Sequence, residues 1–156
     1  MRSKSKSAPS PEVSVRNLQR TIPVNVGDLE KFAAKAMRCC LRLHNQKATD
    51  LTRLREVFIW LISDRRMASL HRQFLSKTGP TDVLTFQHGE IFVSVETARR
   101  HARVFRNSLV RELRLYIAHG LLHLHGFHDR KQTDARKMER MQKRILAAAT
   151  GNSRAD

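Results

Sequence analysis

Between His119 and Asp129 the chain reads HGLLHLHGFHD, placing four histidines and an aspartate in eleven positions. His119 and His123 are four residues apart. On a helix that spacing puts both imidazoles on one face, about 6 Å apart along the axis. With Zn–N bonds of about 2.0–2.1 Å, two rings so placed reach the same ion. Two ligands from one helix hold a metal weakly, so a third must arrive from outside it. Gly126 permits the φ > 0 turn that ends a helix and sends the chain back, and His128 and Asp129 follow. Three protein ligands with a vacant fourth position define a catalytic rather than a structural zinc site. His125 lies about 240° around the helix from His119 and is expected to point away. Gly120 occupies the position at which helical zinc peptidases carry their glutamate base, so peptidase chemistry loses its support. The competing interpretation is a helix with buried or surface histidines. On so leucine-rich a helix, however, an unpaired polar ring is costly to bury.

The elements that must position this run follow from periodicity. NLQRTIPV (17–24) suits a first strand. A helix follows with Asp28 near its start, and Leu29, Phe32, Ala33, Ala36, Met37, Cys40 and Leu41 form a stripe of period 3.6. The nearly continuous apolar run LREVFIWLIS (54–63) predicts a central strand. Ser63 or Asp64 caps a helix carrying Met67, Leu70 and Phe74. A loop at 77–81 leads to strands at 82–86 and 90–95, with Gly89 suiting a tight antiparallel connection. Helices are expected from Glu96 or Thr97 to about Asn107 and from Ser108 to Gly126. In the second of these, Val110, Leu113, Ile117, Leu121, Leu122 and Leu124 mark the apolar side. A last basic helix runs from about 131 to 149, with Met138, Met141, Ile145 and Leu146 inward. This order predicts an α+β fold, a mixed sheet of about four strands packed with about five helices. The metal site falls on a helix followed by a glycine turn.

A chain of 156 residues with 40% hydrophobic content suffices for one domain with one core. Residues 1–15 are expected to be a disordered basic tail, since MRSKSKSAPSPE offers nothing apolar to bury; residues 16–150 then form the single domain. No apolar stretch approaches the ~20 residues of a membrane span, and no secretory apolar region opens the chain. A cytoplasmic protein without membrane association is therefore expected. The only cysteines, Cys39 and Cys40, are adjacent within a helical pattern and suit two core thiols in a reducing compartment. Thirty Lys and Arg against fourteen Asp and Glu leave a net charge of +16. Such an excess favours polyanionic partners, because each phosphate contact releases condensed counterions.

The run at 119–129 resembles the signature of the YbeY-type rRNA maturation factors, a family of metal-dependent endoribonucleases. That signature is H-G-x-L-H-L-x-G-aromatic followed by Asp and His. Two further blocks are similar to family stretches and occur in the family's order: LHRQFLSKTGPTDVLTF (70–86) and GEIFVSVETARRHA (89–102). The resemblance extends over roughly residues 18–145. It implies a mixed sheet with surrounding helices and a His-x₃-His-x₅-ligand metal site. The x₅ spacing falls on Asp129, with His128 one residue early as the alternative. His119, His123 and Asp129 are thus the expected ligands of one divalent ion. Zn²⁺ is the expected ion, although the same set also accepts Ni²⁺.

The family's arginine aligns with Leu75, which cannot bind phosphate; Arg72 or Lys77 is left to supply that charge at the substrate. Glu112, two turns before His119, either orients a ligand imidazole or is an exposed helix glutamate. Asp82 either caps a turn or faces the cleft. The resemblance implies a zinc-dependent, single-strand-specific endoribonuclease acting in late small-subunit rRNA processing and ribosome biogenesis. Its partners would be rRNA and the small ribosomal subunit or its assembly factors. The alternative, sustained by Leu75, is a non-catalytic basic ribosome-assembly factor whose metal is structural.

Overall fold

The computed structural model describes residues 10–43, 48–75 and 81–151, without the side chain of Leu75. Its first strand, β1 (Glu12–Asn17), begins before the expected position. The segment EVSVRN pairs in parallel with β2 (Glu56–Ile62), so Glu12–Val15 belong to the sheet although they lie in the stretch expected as a tail. The expected strand at 17–24 is not formed beyond Asn17, the last residue of β1. Leu18–Val24 is irregular, and the Gln19 amide, 6% exposed, satisfies both the N–H and the C=O of Ile22 in place of a ladder. The short alternation V-S-V won over the longer but Pro-interrupted run.

Asn25 caps α1 (Val26–Arg42) by accepting from Asp28 N–H, and Leu29, Phe32, Ala33, Ala36, Met37 and Cys40 are buried as the periodicity predicts. Burial pushes the Cys40 thiol up to about 12, with the neighbouring Cys39 adding to it, so this thiol is held protonated. A single turn, α2 (Asp50–Arg53), carries a capping box from Thr49 and was not expected. It lies between α1 and β2, which is followed by α3 (Asp64–Leu75). Strands β3 (Val83–Phe86) and β4 (Glu90–Ser94) pair antiparallel. Ser94 then caps α4 (Val95–Phe105), Ser108 caps α5 (Leu109–Leu124), and α6 (Gln132–Ala149) closes the described chain.

The sheet order is β1-β2-β4-β3, parallel except for β3, which forms an edge. Side chains alternate across it. Val57, Ile59 and Leu61 of β2 and Ile91 and Val93 of β4 join the main core with α1, α5 and α6. Trp60, Ile62 and Phe92 face the other way and pack with Met67 and Leu70 of α3. Phe74 departs from its expected inward place: it is 54% exposed and meets Phe86 edge to face. Val110, on the first turn of α5, is also exposed. Within the described residues no helix is long and apolar enough to cross a membrane.

Candidate metal centre

Helix α5 has a buried side against the sheet, and His119 and His123 lie at its margin, half-buried beside Leu121, Leu122 and Leu124. Gly120 makes this placement possible. A Cβ there would sit 2.7 Å from Cγ2 of Ile91, so α5 can approach β4 this closely only with glycine at 120. The residue that removes a peptidase glutamate is thus also the point at which the metal helix rests on the sheet.

The two imidazoles face one another with Nε2 atoms 3.0 Å apart. Gly126, at φ 87°, then turns the chain back as its sequence position suggests. This return places Oδ2 of Asp129 3.6 Å from Nε2 of His119 and 3.8 Å from Nε2 of His123. One ligand atom from each of the three residues lies within 4.8 Å of the others. Two ligands of a tetrahedral ion with bonds of about 2.05 Å stand about 3.4 Å apart, so this donor set fits a divalent ion of zinc's size. His128 is exposed and lines the same cleft, but it is not in the cluster.

Electrostatics keep the rings in their ligating form. Burial lowers the pKa of His119 below its ordinary value, against the opposing pull of Asp129 and Asp82. For His123 burial is again the largest cause of lowering, and His119 adds to it. Neutral imidazoles offer the lone pair that a metal needs. The far side of the His119 ring is also held, because the side-chain amide of Gln142 on α6 lies against Nδ1. With Nε2 turned to a bound ion, Nδ1 would carry the proton, and an amide turned to present Oε1 would accept it. The chain offers no advance signal for this contact, since Gln142 lies in a run of polar residues indistinguishable from a solvated helix side.

Around these residues lies a cleft of about 620 Å³. Its walls are the β3 edge at Val83 and Thr85, the α2 cap at Thr49 and Asp50, and the return segment at His128 and Arg130. Arg130 is the one Lys or Arg among the described lining residues. Arg72 is exposed on the last turn of α3 and does not line the cleft, while Lys77 lies outside the described residues. Glu112 is buried and accepts from Nδ2 of Asn107 at 2.8 Å, an anchor for the α4–α5 turn. Asp82 caps its own turn, accepting from Val83 N–H at 2.8 Å, and is also near enough to influence His119. His125 points away as expected and is buried, with Nδ1 2.9 Å from Thr49 Oγ1 and Nε2 3.2 Å from the Leu43 carbonyl. It ties the end of the metal helix to α2 and to the end of α1.

A family model described as Endoribonuclease YbeY matches residues 14–150 of this chain. An endoribonuclease YbeY of Anaeromyxobacter sp. (strain Fw109-5) is 38% identical over 103 residues, covering 60% of this chain and 54% of that protein. One from Thermus thermophilus is also 38% identical over 103 residues, covering 58% of this chain and 74% of its own length. The chain therefore spans from about half to about three quarters of these curated relatives. A Thermotoga maritima protein solved in solution shares the fold, with a TM-score of 0.63 at 25% identity and 92% of each chain covered.

Proposed function

The chain belongs to the family of YbeY endoribonucleases, and from that premise we propose that it cleaves single-stranded RNA with one divalent ion, Zn²⁺ by preference, held by His119, His123 and Asp129. The observation that carries this reading is the convergence of these three ligand atoms within 4.8 Å in an open cleft. When bound, the ion supplies Lewis acidity, polarising a phosphoryl oxygen and making a nearby water more acidic. The chain's own residues do the rest. Gln142 fixes the tautomer and tilt of His119. Asp129 adds a negative ligand that tempers the charge of the centre. Arg130, in the lining, neutralises the phosphodiester, whereas Arg72 does not line the cleft. With Gly120 at the glutamate position there is no helix-borne base for peptide hydrolysis.

The net charge of +16 supports a polyanionic substrate. Cytoplasmic ribosomal RNA, met during late small-subunit processing and ribosome assembly, is the substrate this reading assigns. The test is incubation of the pure protein with single-stranded and duplex RNA, comparing wild type with Asp129→Ala and Arg130→Ala. Cleavage confined to single strands, lost in Asp129→Ala and weakened in Arg130→Ala, supports it. Ribosome binding with no cleavage by any metal-loaded form would favour the assembly factor with a structural metal.

A further inference from the structure

A second cavity, of about 510 Å³, opens where the N-terminal end of α5 meets the C-terminal end of α6. Arg111, Arg114 and Lys143 line it, with the hydroxyl residues Ser108 and Thr150 and an apolar patch at Leu146. It shares no lining residue with the metal cleft. Arg111 stands about 12 Å of helix rise before His119. Among the described lining residues none is acidic; Lys143 pairs with Glu139 at 3.2 Å in an exposed contact that contributes little, and Glu112 on the first turn of α5 is held by Asn107.

Arg114 carries the independent observation. Its guanidinium is held over the Phe32 ring, 5.4 Å from the centroid, yet its buried Nε has no hydrogen-bond partner. Buried donors are rarely left so, and an anionic acceptor entering the cavity would satisfy this one. The positive end of α5 adds to the same field. Exposed Arg136 and Arg140, two turns and one turn before Lys143 on the same side of α6, continue the charge, which suits a polymer better than a lone ion.

We infer that this cavity binds a backbone phosphate of RNA at a distance from the metal centre. The inference rests on the ribonuclease reading and adds to it a second contact on the same substrate. It separates the strand-holding charge from the cleaving site, so affinity for long RNA and turnover of short RNA become independently adjustable.

The test is the double variant Arg111→Glu/Lys143→Glu, which leaves Arg114 packed on Phe32, beside a control of equal charge change, Arg65→Glu/Arg99→Glu. Fluorescence anisotropy with a long single-stranded RNA should show about tenfold weaker binding for the cavity variant at ~0.1 M salt, with a salt slope lower by about 1. Its cleavage of an RNA too short to leave the metal cleft, and its metal content, should match wild type. Equal loss in the control would reduce the effect to net charge and overturn the assignment. Unaltered RNA affinity would overturn it too, and if inorganic phosphate alone still shifts the Arg111 and Arg114 resonances, the cavity is a free-anion site. Wild-type protein that neither binds nor cuts RNA would remove the ribonuclease reading along with this one, whereas wild-type cleavage with an unaffected variant removes this one alone.

Discussion

At the last two candidate ligands, residue spacing outweighs residue type. Histidine binds zinc more often than aspartate, yet the turn at Gly126 brings Asp129 to the paired imidazoles and leaves His128 outside the cluster. Asp129→Ala should therefore lose bound metal, while His128→Ala should keep it; elemental analysis of the purified variants decides the matter, and the reverse pattern would reassign the ligand. Gln142→Leu should weaken metal affinity by about 10–100-fold, because the His119 ring then lacks its orienting partner. Competition with a chromophoric chelator measures this, and Gln142→Glu, which keeps an acceptor, should restore most of it. Both effects belong to single side chains and should leave the fold intact.

At the scale of the element, Gly120 matters more as a surface than as a missing base. A Cβ at 120 would meet Ile91 Cγ2 at 2.7 Å and Cδ1 at 2.9 Å. Gly120→Ala should thus destabilise by about 1–3 kcal/mol through overpacking. Urea unfolding should show it, with Ile91→Ala in the same chain recovering part of the loss; an unchanged midpoint would mean that α5 does not rest on β4 at this point. Most elements were legible from periodicity, since α1, β2 and, from Leu113 onward, α5 bury the stripes their spacing implies. What was not legible has physical reasons. β1 is too short and too polar to outscore the run after it, and it becomes a strand only through parallel pairing with β2. The four-residue α2 depends on Thr49, whose hydroxyl is shared between the capping box and His125. Phe74 follows the helical spacing, but α3 covers only part of the outer sheet face, so the last turn of that stripe stays in solvent. In the site, the imidazole pair was readable from local spacing. Gln142 was not, because it reaches His119 through the packing of α6 on α5, which no local pattern encodes, and Arg130, next to Asp129, reads as one more basic residue in a basic chain.

For the whole molecule, folding stability is tied to the titration of the paired imidazoles. His119 and His123 both have pKa values lowered by burial, so the unfolded chain binds protons more readily than the folded one below about 6.5. Their neutral state is fully available above that pH, and stability drains away as the pH falls beneath it. The metal-free protein should show a falling thermal midpoint from pH 7.5 to 5.5, with a shallower fall in His123→Ala. Equal slopes would mean that the pair is not buried in solution. The combination of basic surface, single core and three-ligand cleft reduces to one claim, that RNA hydrolysis depends on the ion at residues 119, 123 and 129. The most direct measurement is cleavage of a single-stranded RNA by the purified protein before and after chelation, beside His123→Ala. Cleavage should vanish on chelation, return with added Zn²⁺ and be absent in the variant. Undiminished cleavage after chelation and in His123→Ala would contradict the claim.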